Sequence, residues 1–238
     1  MRIFASIRIL RIRIYLLFMQ TNPYCGLCIA VDGIDGSSKT TQAKRIVKYL
    51  QNIGVHAVYT KEPWWGQMTE GDHRLRRAIT QLDDKEHRAK LEQIQKLFID
   101  NRGRHLIWEV IPLLGQASPT VVVMDRYAFS TMAYGAATTL YSFEEIYQMH
   151  SDLKWFFLPD VSFILDLNPE IAVSRLKKSP DIFEERKILE AVREEYKKMV
   201  IFFKNEGVYL IDGSGTEEEV FERMAPAIDR VLTEKFRR

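Results

Sequence analysis

Gly33-Ile34-Asp35-Gly36-Ser37-Ser38-Lys39-Thr40 brings together the residue types that hold a polyphosphate. In the spacing G-x-x-x-x-G-K-[ST], backbone N–H groups of a glycine-rich turn wrap phosphate oxygens, the lysine reaches the β and γ phosphates, and the hydroxyl holds Mg²⁺. The chain departs from that spacing only at Ser38, where the pattern has its second glycine. If the turn needs a positive φ there, a side chain costs about 1 kcal/mol or more. Cys25 to Asp32, just upstream, reads as a short buried strand. Downstream, Ala43, Ile46, Val47 and Leu50 recur at helical spacing, and Gly54 marks a stop. Strand, turn and helix start thus follow in the order an anion site requires, because the helix adds unpaired N–H groups and the positive end of its dipole.

Further along, the β-branched run Thr120 to Met124 ends in Asp125. An acid closing an apolar strand is placed to act on Mg²⁺. Phe98 and Arg102 are four apart, so on a helix they share a face and can serve the ring and the charge of one ligand. A core phenylalanine beside a surface arginine is the plainer alternative. Cys25 and Cys28 have no second pair, and the five histidines are scattered, so a four-ligand zinc site is poorly supported. On a strand the two sulfurs would be about 10 Å apart, too far for a disulfide, which leaves buried apolar cysteines as the expectation.

These residues need a scaffold, and the hydrophobic pattern supplies one. Strands are expected at Val55 to Thr60, Thr120 to Met124, Val161 to Leu165 and Val208 to Ile211, besides the first. Leu91, Ile94, Leu97, Phe98, Leu106 and Val110 are candidate core positions of a largely helical stretch from Leu75 to Leu114. Helices also follow around Thr131 to Thr139, Phe143 to Met149 and Asn168 to Leu176. A long amphipathic helix carries Ile188 to Val200, and a last one carries Val220, Met224 and Ile228 on one face. Strands alternating with helices argue for a parallel sheet covered on both sides.

At 238 residues, 46% hydrophobic and 28% charged, the chain suits one globular domain with a full core. Of 34 basic residues, Arg2, Arg8, Arg11 and Arg13 stand before residue 19 unopposed by any acid. The body is therefore slightly acidic and carries no nucleic-acid footprint. Ile14 to Phe18 is too short for a membrane span. Residues 1–18 read as an N-terminal extension, either a basic amphipathic segment lying on an anionic membrane surface or a non-native stretch ahead of a start at Met19.

Several motifs in order make the chain resemble the thymidylate kinases, within the P-loop nucleoside monophosphate kinases. They are Asp32 to Gly36 leading into Lys39-Thr40-Thr41-Gln42, then Lys61-Glu62-Pro63, then Leu97 to Arg102. Asp125 to Ser130 with Ala133-Tyr134, and Asp181-Ile182-Phe183-Glu184, complete the set. The resemblance implies an α/β P-loop NTPase fold, with five parallel strands in the order 2-3-1-4-5 and helices on both faces. It implies ATP with Mg²⁺ as donor, a deoxynucleoside monophosphate, dTMP first, as acceptor, a cytoplasmic setting and a homodimer. Residues 19–238 would form the single domain, with a short lid near 177–184. Gly33, Ile34, Asp35, Gly36, Ser37, Ser38, Lys39, Thr40 and Thr41 would hold the ATP phosphates, and Thr40 with Asp125 the metal. Asp35 would reach the acceptor's 3′-hydroxyl, with Pro63 beside it. Arg126 and Arg102 would clamp the acceptor phosphate, Phe98 would stack on the base, Thr131 would lie near its edge, and Tyr134 would crowd the sugar's 2′ position.

Three departures from the family pattern matter. The catalytic arginine that some members carry at the position of Gly36 is missing, and Ile182 stands where others have a lid arginine. Lys177 and Lys178, flanked by Arg175 and Arg186, are the lid cations left for catalysis, and lysine is a point charge rather than a fork. Trp64-Trp65 stands where many members have Gly-Gly after Glu-Pro, either narrowing or adding a stacking surface to the acceptor site, or packing in the ordinary way. The alternatives to a dTMP kinase are a nucleoside kinase on the same fold and a nucleotide-binding module without turnover.

Overall fold

A computed structural model describes residues 20–80, 87–176 and 186–236. The extension at 1–18, Met19, Lys177, Lys178 and Ile182 lie outside the described residues. Five strands form one parallel sheet: β1 (Leu27–Gly33), β2 (Ala57–Lys61), β3 (Val121–Asp125), β4 (Val161–Asp166) and β5 (Val208–Asp212). Their order is β2-β3-β1-β4-β5, as expected. Val31 pairs with Asp125, Lys61 with Asp125 and Gly33 with Leu165, so the strands bearing the motif residues end at one edge of the sheet.

The period-two alternation of β1 divides the core into two. Leu27, Ile29 and Val31 pack on one face against α1 (Lys39–Asn52) and α8 (Glu217–Phe236), through Ala43, Ile46, Leu50, Val220, Met224 and Ile228. Cys28 and Ala30 point to the other face. That face is covered by α3 (His87–His105), α4 (Ala128–Thr138), α5 (Phe143–Ser151) and α7 (Arg186–Phe202). Two further helices are α2 (Glu70–Thr80) and α6 (Pro169–Arg175), the latter with its Ala172 carbonyl against the turn after β1. Helix α3 runs on through a π-helical turn, Leu106–Val110, to Leu114. Leu91, Ile94, Leu106 and Val110 are buried as expected, while Leu97 and Phe98 are only half-buried.

One expectation fails at the start of the sheet. The strand begins at Leu27 rather than Cys25, because Gly26 N–H donates to the Leu114 carbonyl (2.9 Å) and the chain turns there. Cys28 is buried and Cys25 is exposed, its Sγ facing the Leu114 and Gln116 carbonyls.

The turn after β1 has the strain its sequence implied. Gly33 (φ 144°), Gly36 (φ 80°) and Ser38 (φ 68°) all take positive φ, and only Ser38 carries a side chain. Gly36 is also sterically closed, since a Cβ there would lie 2.5 Å from the Ala172 carbonyl oxygen. No side chain fits there, which explains physically why position 36 holds no arginine. Ser38→Gly should relieve the left-handed strain and raise stability by about 0.5–1 kcal/mol. Urea unfolding checks this, and an unchanged or lower midpoint would contradict it.

Candidate active site

Turn and helix start build the donor side. Lys39, the first residue of α1, is 6% exposed, and its Nζ donates to the Ile34 carbonyl (2.7 Å) with Asp35 Oδ1 at 3.6 Å. Burial and the Arg126 charge lower its pKa to about 8, against the pull of Asp35, Asp125 and Asp32. Thr40 Oγ1 donates to Asp125 Oδ2 (2.5 Å), and Tyr59 O–H donates to the same oxygen (3.0 Å). The two residues expected at the metal are thus in contact. Ser37 Oγ is buried without a partner, and Thr41 lies half-buried in the first turn of α1.

Asp32, fully buried one residue before the turn, joins the two halves of the site. Its Oδ1 accepts from Tyr127 N–H, Ser130 N–H (both 3.0 Å) and Ser130 O–H (2.5 Å), so it caps α4, whose own first residues supply no cap. Burial raises the Asp32 pKa, and those hydrogen bonds oppose it.

Arg126 stands between strand and helix with φ 70°, in a left-handed conformation that a non-glycine residue adopts at a cost. That twist turns its guanidinium onto Asp35 and Ser130 Oγ (3.2 Å) and over the Tyr134 ring. Tyr134 O–H donates to Asp35 Oδ2 (2.7 Å). Burial would raise the Asp35 pKa, but Arg126, Lys39 and Tyr134 outweigh it and hold the carboxyl at about 2.

Beside this cluster opens a cavity of about 180 Å³. Asp35, Pro63, Phe98, Arg102, Arg126, Thr131 and Tyr134, the acceptor residues named from sequence, all line it. So do Glu62, Ile79, Gln95 and Ser130, which were not singled out. Arg102 is 2% exposed and bound on every side: Nε and Nη2 to Glu62, Nη1 to His150, and Nη2 to Thr131 Oγ1 (3.0 Å). Burial and the Arg102 charge push His150 well below its ordinary value, so it is neutral. Its Nδ1–H donates to the Ile146 carbonyl and its Nε2 accepts from Arg102.

Trp64 takes no part in the cavity. It is 7% exposed, stacked on His105, with its indole N–H on Glu109 and its backbone locked to Asn101. Trp65 is half-buried against the core and does not line the cavity either. Of the two alternatives for this pair, packing is what is found. Of the lid-flanking cations, Arg175 reaches the Gly36 carbonyl (3.3 Å) and Ser38 Oγ (3.4 Å), whereas Arg186 is held by Glu170 and Glu190.

Fold and site together define a P-loop α/β protein with a separate cavity beside the loop. A thymidylate kinase family model matches residues 31–224. A thymidylate kinase of Caldicellulosiruptor saccharolyticus is 33% identical over 218 residues, covering 88% of this chain and 99% of the relative. One from Mesoplasma florum is 31% identical over 205 residues (84% and 93%), and a probable thymidylate kinase of Archaeoglobus fulgidus is 32% identical over 211 (88% and 98%). The chain belongs to the thymidylate kinase family.

The wall behind Arg102 carries its own pH dependence. Burial would lower the His105 pKa, but the nearby carboxylates of Glu109 (3.8 Å) and Glu62 (3.2 Å) outweigh it and raise it above the ordinary value. A raised folded-state value means that protonation favours the fold. The contribution is complete below about pH 6.5 and is lost as pH rises through the folded value. Urea unfolding of wild type and His105→Gln should therefore show a larger stability gap near pH 6 than near pH 9. A constant or widening gap would contradict this.

Proposed function

We infer that the protein transfers the γ-phosphoryl group of ATP to dTMP, giving ADP and dTDP. One observation supports this reading above the rest: Asp35 belongs to the phosphate loop and also lines the acceptor cavity, where it meets Arg126 and Tyr134. Donor and acceptor groups bound on either side of it would be neighbours, and alignment is what this reaction most needs.

In the transfer, the bond from the γ phosphorus to its bridging oxygen breaks as an acceptor phosphate oxygen bonds to that phosphorus. That oxygen is already anionic near neutral pH, so no strong general base is required. Lys39 neutralises charge on the donor phosphates, and their approach favours its protonated form. The turn from Gly33 to Thr41 supplies the N–H cradle. Arg175, already against that turn, adds a forked cation at its rim. On this reading Lys177 and Lys178 supply further cations from the lid.

Arg126 takes the acceptor phosphate, exchanging part of its hold on Asp35, which is then free for the 3′-hydroxyl. Arg102 enters the clamp only through what Glu62, His150 and Thr131 leave uncommitted, since Glu62 already balances its charge. Phe98 offers a ring face to the base, Thr131 and Pro63 border it, and Tyr134 sits where a 2′-hydroxyl would intrude.

Mg²⁺ suits Thr40 and Asp125. Two adjoining oxygen donors, with no cluster of three or more metal-binding side chains among the described residues, match an ion that keeps waters and takes phosphate oxygens. When bound it neutralises charge on the β and γ phosphates.

The same reading takes residues 19–238 as one cytoplasmic domain, homodimeric, with a lid near 177–184 and nucleotides rather than nucleic acid as partners. No helix among the described residues is long and apolar enough to cross a membrane.

Lys39→Ala, assayed at a temperature where circular dichroism shows the variant folded, should reduce ADP release with ATP, Mg²⁺ and dTMP by about a hundredfold or more. Equal turnover in a folded variant would remove Lys39 from the reaction.

A further inference from the structure

Gln95 has no role in the account above, yet it lines the acceptor cavity with its side chain 1% exposed. Neither its Oε1 nor its Nε2 has a hydrogen-bond partner. A buried carboxamide with both ends unmatched is costly, and such groups are rare unless something outside the protein completes them.

Its position on α3 says where that completion lies. Gln95, Phe98 and Arg102 follow at three and seven residues, which puts all three on one helix face, and all three line the cavity. The facing helix makes room for the amide. A Cβ at Gly135 of α4 would lie 3.1 Å from both Cδ and Oε1 of Gln95, and 2.4 Å from Ile146 Cδ1. Glycine inside a helix is unfavourable by itself, and here it clears the seat that the amide occupies.

We propose that Gln95 is a specificity-determining residue that hydrogen-bonds the edge of the acceptor base. Its Oε1 accepts from a ring N–H and its Nε2 donates to the adjoining carbonyl, the pairing a pyrimidine-2,4-dione offers. The inference deepens the dTMP reading and rests on it. Loss of a matched donor and acceptor in a closed pocket penalises ligands that need them, and leaves alone those that lack a base.

Calorimetric titration of wild type, Gln95→Leu and Gln95→Met with dTMP and with 2-deoxyribose 5-phosphate tests this without turnover. The methionine variant keeps the side chain's length and sustains the test if the leucine variant does not fold. The expected result is dTMP affinity lower by about tenfold or more, with 2-deoxyribose 5-phosphate affinity within about twofold of wild type. Equal weakening of both ligands would mean that Gln95 only supports the fold, and no weakening would mean that it does not touch the base. Either result overturns the proposal. A wild-type protein that binds dTMP no better than the sugar phosphate would overturn the dTMP reading itself.

Discussion

Because β1 and β3 run parallel with Val31 opposite Asp125, the phosphate loop and the segment after Asp125 leave the sheet side by side. Arg126 N–H donates to the Val31 carbonyl (2.9 Å), and Asp32 caps the helix that Arg126 introduces. Thr40 then meets Asp125, and Arg126 meets Asp35. A shift of one residue in this register would turn the alternate side chains to the other face and separate every one of these pairs.

The site concentrates charge in a protein interior, and its order follows from how that charge is matched. Lys39, Asp35, Arg126 and Asp32 form one group around the loop, and Glu62, Arg102 and His105 form a second in the wall of the cavity. Removing one partner from such a pair leaves an uncompensated buried charge, typically at a cost of about 3–5 kcal/mol. The first group is open to substrates, since Asp35 and Arg126 are 25% and 21% exposed. The second is sealed, with Arg102 at 2% and Glu62 at 5%. Charges that must exchange partners therefore sit at the opening, and charges that hold the wall sit behind it. Positive φ at Ser38 and Arg126 marks where backbone strain serves the site.

Local spacing made much of this legible. Strands alternating with helices predicted the parallel sheet, and the G-x-x-x-x-x-K-T pattern predicted the loop and singled out Ser38 as the place where a positive φ would be costly. The four-residue step from Phe98 to Arg102 predicted a shared face, and both line the cavity. What stayed hidden depends on partners distant in the chain. Glu62 looked like part of a short motif, but its carboxylate matters through Arg102, forty residues on. Gln95 is one polar residue among several on a charged helix, and only the approach of α4 at Gly135 sets it apart. Trp64 was ambiguous because its packing partners, His105 and Glu109, come from the far end of α3 and the π-helical turn. Cys25 was misplaced because the contact that starts β1 late comes from Leu114.

On the proposed function, loop and cavity hold donor and acceptor as neighbours, and the γ phosphate passes between them rather than to water. Incubation with γ-phosphorus-labelled ATP, Mg²⁺ and dTMP, followed by separation of the products, tests this most directly. The label is expected in the terminal phosphate of dTDP, in step with ADP formed. Label released as inorganic phosphate, or retained in ATP with dTMP bound, would contradict it.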